Sequence, residues 1–152
     1  MQKLVVYDSQ YGNTQKIAEV IAGVIGAKAV NYQNFDPAAL KNTGLLIVGS
    51  PTQGGRATAG LQAVLDSIPA EGLRGIKFAV FDTRFLESEQ IFGLKLLLKT
   101  IGYAASKISV FLKSKGGEEV VPPEGFIVKE KSGPLADGEP ERAKKWAESF
   151  RN

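Results

Sequence analysis

Apolar residues fall in short runs separated by polar, glycine-bearing turns, and the runs alternate between two periods. Leu4 to Tyr7 is a continuous apolar run ending at Asp8-Ser9, which predicts a buried strand. Ile17, Val20, Ile21, Val24 and Ile25 then recur at the spacing of one helix face, and Gly26 supplies a stop. Ala27 to Asn31 predicts a weak second strand. Asp36-Pro37 supplies an N-cap followed by proline at the first helical position, opening a short helix to Lys41. Between Gly44 and Gly49, Leu45-Leu46-Ile47-Val48 is apolar on both faces, as a central parallel strand must be. Leu61, Val64, Leu65 and Ile68 mark a further helix, and Lys77 to Phe81 a fourth strand ending in Asp82-Thr83-Arg84.

Ala104, Ala105, Ile108 and Leu112 share a helical face, and Lys113 and Lys115 precede Gly116-Gly117. A helix from about Tyr103 to Lys115 follows, against the strand-like look of Ile108 to Phe111. Glu119-Val120-Val121 predicts the fifth strand, and Phe126-Ile127-Val128 its extension or a short edge piece after the prolines. Pro140, then Ala143, Trp146, Ala147 and Phe150, define the last helix. This alternation predicts a single α/β domain over 1–152, a doubly wound five-stranded parallel sheet with helices on both faces. The stretch 85–102 is surplus to it. Its run Ile91-Phe92-Gly93-Leu94-Lys95-Leu96-Leu97-Leu98-Lys99 predicts an insertion, helical and apolar around most of its circumference. Such a helix either covers the sheet or offers 91–101 as a homodimer interface, a lid, a docking surface for a redox partner or a membrane-surface helix.

Composition narrows the chemistry. At 152 residues, 43% hydrophobic and 23% charged, the chain suits one globular domain, and no run approaches the roughly 20 apolar residues of a spanning helix. Cysteine and histidine are both absent, which removes disulfides, thiol catalysis, the commonest metal ligands and the commonest general base. Met1-Gln2-Lys3 runs straight into the first strand without a signal-peptide layout, so a cytoplasmic location is expected. The net charge of +3 and pI near 9.1 come from dispersed groups: Lys113/Lys115, Lys129/Lys131 and Arg142/Lys144/Lys145. No basic stripe with interleaved aromatics is present, so nucleic acid is not the expected partner.

In a doubly wound sheet, ligands bind at the carboxyl ends of the strands. The loop after the first strand, Ser9-Gln10-Tyr11-Gly12-Asn13-Thr14, combines two hydroxyls with backbone N–H groups at a helix start, a site for a phosphate dianion or simply a polar turn that caps the helix. It lacks the Gly-Lys-Ser/Thr ending of a nucleotide-hydrolysing loop and is not GxGxxG. The second candidate loop is Gly49-Ser50-Pro51-Thr52-Gln53-Gly54-Gly55, and the third follows the fourth strand at Asp82-Thr83-Arg84-Phe85. A phosphorylatable receiver domain would need an aspartate after the third strand, where Gly49-Ser50-Pro51 stands instead.

Ser9 to Thr14 resembles the flavodoxin phosphate loop, which wraps the 5′-phosphate of FMN, and Gly49 to Gly55 resembles the second flavodoxin loop, which flanks the isoalloxazine ring. The tail, with Gly125-Phe126-Ile127-Val128, Gly133-Pro134-Leu135 and Glu139 to Trp146, is similar to that of small flavodoxin-family proteins. The resemblance implies strand order 2-1-3-4-5 and an FMN site built from Ser9 to Thr14, Pro51 to Gly55 and Asp82 to Phe85. In it, Ser9, Thr14 and the N–H groups of Tyr11 to Thr14 would hold the phosphate. Gly54-Gly55 would place a flexible peptide by flavin N5, able to present either C=O or N–H. Gln53 and Phe85 stand where stacking aromatics are usual. Arg84 would lie near the ring edge or the phosphate, or else form a surface ion pair with Glu87 or Glu89. The function implied is an FMN-binding carrier shuttling electrons between redox partner proteins. An NAD(P)H-dependent FMN/quinone reductase and a flavin-free flavodoxin-like binding module are the alternatives.

Overall fold

The computed structural model describes residues 1–86 and 102–152. Among them, β1 (Gln2–Tyr7), β2 (Lys28–Asn31), β3 (Thr43–Pro51), β4 (Lys77–Phe85), β5 (Glu118–Glu119) and β6 (Glu124–Val128) form one sheet. Every ladder is parallel, in the order β2-β1-β3-β4-β5, with β6 also on β4. The helices are α1 (Asn13–Ile25), α2 (Ala59–Asp66), α3 (Ala104–Ser114) and α4 (Glu139–Glu148). The helix expected after Asp36 forms as a tight 3-10 segment, Pro37–Asn42, in which the Asp36 carboxylate accepts from the Ala38 amide at 2.9 Å.

Alternation along the strands sends side chains to two separate cores. On one face Leu4, Val6, Leu46, Val48, Phe78 and Val80 pack under Leu61 and Leu65 of α2 and Ile108 and Leu112 of α3. On the other, Val5, Ile47, Ala79 and Phe81 pack under Ile17 and Ile21 of α1 and Ala143 and Ala147 of α4. The buried face of α3 decides its conformation over the β-branched look of Ile108 to Phe111: Ala104, Ala105, Ile108 and Leu112 are all inside.

The far edge of β4 differs from the sequence expectation. Lys77 and Phe78 pair with Glu118 and Glu119 of β5, whereas Phe81 to Phe85 pair with Glu124 to Val128 of β6. The fifth position of the sheet is therefore filled in two pieces, and the break contains Pro122-Pro123, which have no N–H to give a ladder. Because β6 runs beside it, β4 continues past Phe81, where the sequence pattern had it end. Asp82, Thr83 and Arg84 are strand residues rather than loop residues, and they alternate between the two faces. The insertion expected over 85–102, with its interface at 91–101, lies almost wholly outside the described residues. So do Glu87 and Glu89, the partners considered for Arg84.

Arg142 fastens α4 to β6. Its guanidinium meets Glu139 at 2.7 Å and Glu124 at 2.9 Å, donates to the Gly125 carbonyl, and lies 4.6 Å from the centre of the Phe126 ring. Burial works against its charge, but the two carboxylates more than compensate, so its pKa is raised. Arg142→Ala is expected to cost about 2 kcal/mol in urea unfolding, the scale of charged hydrogen bonds at a partly exposed site. A loss of a few tenths would mean that water replaces these contacts without penalty.

Candidate cofactor site at the carboxyl edge of the sheet

The loops leaving β1, β3 and β4 converge on a cleft of about 660 Å³, within the size range of small-molecule sites. Its first wall is the turn Ser9 to Thr14. Gly12 adopts φ 92° as the residue before α1 and contributes no side-chain cap. Ser9 does that work from outside the helix: its Oγ accepts from the Gly12 amide at 3.1 Å and the Gln15 amide at 3.2 Å. The turn is thereby held around the helix start, and the Ser9 hydroxyl proton remains to be donated. Asn13 and Thr14 occupy the first positions of the helix, where N–H groups have no intrahelical partner. The Thr14 side chain points down rather than out; its hydroxyl shares a 2.8 Å hydrogen bond with that of Thr83, both buried, and so ties α1 to β4.

The second wall is a two-residue hairpin. Gln53 and Arg56 exchange backbone hydrogen bonds of 2.8 and 3.0 Å, and Gly54 and Gly55 between them have φ of 56° and 77°. Both central residues of such a turn need positive φ, hence the glycine pair. A Cβ on Gly55 would come within 2.9 Å of the Gly102 carbonyl, so the turn packs directly on the chain entering α3.

Beneath the cleft lies a buried ion pair. Arg84 donates through Nε to one Asp82 oxygen at 2.7 Å and through an Nη to the other at 2.8 Å, with both side chains essentially inaccessible. Asp82 also accepts from the Ala105 amide at 2.9 Å, and Thr52 Oγ1 accepts from the Ala104 amide at 3.1 Å. The α3 N-terminus is thus capped by residues from β4 and from the β3 loop, and the carboxylate sits at its positive end. Burial pushes the Asp82 carboxyl above its ordinary value, while Arg84, the Ala105 amide and Thr52 pull it back. The Arg84 guanidinium lies 3.9 Å over the Tyr103 ring. Arg84 is therefore no surface residue, as one of its two sequence readings held: it is a strand residue that lines the cleft from a buried position.

Of the residues expected at the site, Gln10, Tyr11, Asn13 and Thr14, then Pro51 to Gly55, then Thr83, Arg84 and Phe85 line the cleft. Ser9, Gly12 and Asp82 are not among the lining residues: Ser9 and Gly12 belong to the turn that forms the first wall, and Asp82 holds Arg84. Leu86, Tyr103, Val128 and Lys131 line it as well and were not singled out from the sequence. In the sequence Tyr103 marks only a helix start, and Lys131 belongs only to a dispersed basic pair. The aromatic surface absent at Gln53 is supplied by Tyr11, Phe85 and Tyr103.

A helix N-terminus and an aromatic-lined cleft at the carboxyl edge of a parallel sheet define a doubly wound domain suited to a ligand that joins a phosphate to a flat ring. The flavodoxin family model matches residues 5–83, over half of the chain, and the protein belongs to the flavodoxin family. The flavodoxin 2 structure from Bacillus cereus is 20% identical and superposes with a TM-score of 0.75 over 99% of this chain and 97% of that one. Rubredoxin oxygen:oxidoreductase from Desulfovibrio gigas, 20% identical with a TM-score of 0.69, contains the same fold: 99% of this chain covers 35% of that one. A Nostoc sp. protein named diflavin flavoprotein A 6 is 29% identical over 122 residues, 74% of this chain, which spans only 21% of that protein's length.

Flavodoxin-family proteins bind FMN and transfer electrons. The donor set here fits that group: amides and a hydroxyl at the α1 start suit a phosphate, and Tyr11, Phe85, Leu86 and Tyr103 suit a flat apolar ring. Among the described residues, no helix is long and apolar enough to cross a membrane.

Proposed function

We propose that this domain binds FMN in the cleft and acts as an electron carrier between redox partner proteins. The observation that carries the proposal is the convergence of the Ser9–Thr14 turn, the Gly54-Gly55 hairpin and the end of β4 on one cleft of flavin size. The bound flavin supplies the redox chemistry. The Ser9 hydroxyl and the amides of Tyr11 to Thr14 would hold the phosphate, and the Gly54-Gly55 turn and Phe85 would border the ring. Arg84, which lines the cleft while held bidentately by Asp82, would border the ring as one half of a neutral ion pair. The chain has no histidine or cysteine, so neither side chain moves a proton at the site.

The deciding experiment is purification without added flavin, a visible spectrum, and titration with FMN followed by quenching of flavin fluorescence. Flavin bands, or saturable binding at micromolar concentration or better, are expected. A colourless protein that ignores FMN would overturn the proposal and leave a flavin-free module. NADPH alone should not bleach the bound flavin; rapid bleaching would make the protein a reductase. Ser9→Ala with Thr14→Ala should weaken FMN binding at least about tenfold, equivalent to about 1.4 kcal/mol. Circular dichroism would check that losing the Thr14–Thr83 bond has not unfolded the domain, and unchanged titration curves would show that these hydroxyls do not hold the phosphate.

A further inference from the structure

We infer that Lys131 is the cation that recognises the cofactor phosphate, carried to the phosphate turn by a strap between β6 and α4; the inference rests on the FMN proposal above. The strap is a folded unit. Lys129 N–H donates to the Pro134 carbonyl at 2.9 Å, Gly133 N–H to Glu130 at 2.9 Å and Ala136 N–H to Ile127 at 2.8 Å, and Val128 bridges Leu135. Asn13 ties it down: the side-chain amide donates to the Ser132 carbonyl at 3.2 Å. Gly133 lies so close that a Cβ there would fall 2.5 Å from Asn13 Oδ1. Asn13 is itself the first residue of α1, so one side chain joins the strap to the phosphate turn. The result is that Lys131 lines the same cleft as Gln10, Tyr11 and Asn13, although more than a hundred residues separate them.

Charge distinguishes this lysine from its neighbours. Lys129, on the same strap, meets Asp137 at 3.1 Å. Arg84, the other cation lining the cleft among the described residues, is held by Asp82. Among the described residues, Lys131 is exposed and has no carboxylate partner, and no aspartate or glutamate lines the cleft. An ammonium on a flexible stem suits a phosphate dianion, whose oxygens accept from any side, and it adds to the positive end of α1. Lys131 therefore selects phosphate-bearing flavin over the phosphate-free form, and Asn13 is its positioning residue.

The test compares FMN and riboflavin, titrated separately against the full chain. In the wild type FMN should bind more tightly, with an affinity that falls as salt is raised. Lys131→Gln should weaken FMN binding by about tenfold while riboflavin changes by less than about twofold, and Lys131→Glu should weaken FMN further. Lys131→Arg should retain most of the preference. Asn13→Ala should shift FMN alone, in the same direction but by less, and Lys129→Gln should shift neither ligand. Parallel losses for both flavins in Lys131→Gln, or no loss at all, would overturn the inference while leaving FMN binding intact. A wild type that binds both flavins equally would do the same. A wild type that binds neither would remove the FMN proposal and this inference together.

Discussion

Asp82→Ala is expected to lower the unfolding free energy by about 3–5 kcal/mol, the cost of removing one partner from a buried ion pair. The substitution would deprive the Arg84 guanidinium of a bidentate carboxylate at 2.7 and 2.8 Å and the Ala105 amide of its acceptor at 2.9 Å. Both groups are deep enough that water could not take over without opening the junction of β4 with α3. The loss should appear in urea unfolding as a lower midpoint, and in heating as a fall of about 2–4 °C in Tm per kcal/mol at this chain length. The pair itself need not be a net source of stability. Replacing both members with apolar residues of similar volume, Asp82→Leu with Arg84→Met, should recover most of the loss. A double variant as weak as Asp82→Ala alone would show instead that the pair is an irreplaceable fastening of α3. A single variant costing under about 1 kcal/mol would show that the site relaxes to admit water.

Phe126→Ala carries the second large expectation, about 4 kcal/mol. Phe126 is fully buried at the meeting of β6 with β4 and α4. Its ring lies edge-on to Phe81 at 5.9 Å and to Trp146 at 6.0 Å, with Arg142 against it at 4.6 Å. Truncation removes the aromatic area and leaves a hole bounded by rings that are themselves fixed: Trp146 also contacts Phe81 at 6.2 Å and Phe150 at 4.9 Å. Phe126→Leu, which keeps most of the volume, should cost about 1.5 kcal/mol. Trp146 is the single tryptophan of the chain, so its fluorescence reports the packing directly. A red shift in the folded Phe126→Ala protein is expected, and an unshifted band with wild-type stability would mean that the cluster repacks. Because β6 leads into the strap that carries Lys131, this variant should also bind FMN less well than its remaining folded fraction predicts.

Much of the architecture was legible because burial imposes simple periods. Leu45-Leu46-Ile47-Val48 could only be a strand covered on both sides, and the helical face of Ile17, Ile21 and Ile25 could only turn inward. The end of β4 was not legible, since Asp82-Thr83-Arg84 has the composition of a loop. Those polar residues are tolerated in a buried strand because Asp82 and Arg84 neutralise each other and Thr83 finds Thr14, pairings made by the fold rather than by local sequence. The turns of the site were readable from their glycines and hydroxyls. Tyr103 and Lys131 were not, because each reaches the cleft from a segment remote in sequence and carries no motif of its own. Asn13 illustrates the same boundary: its place in the turn is local, but its bond to Ser132 spans the chain.

The divided outer edge of the sheet bears on how the protein behaves when concentrated. An unbroken outer strand would present a row of unpaired N–H and C=O groups onto which a second molecule could add. Here that margin consists of a two-residue piece and a five-residue piece separated by Pro122-Pro123, and the opposite margin, β2, is four residues long. Among the described residues both margins are short, and the prolines withhold donors where the two outer pieces would otherwise merge. The same discontinuity that lets β6 run beside the end of β4, at the cleft, thus shortens the edge onto which a second molecule could add.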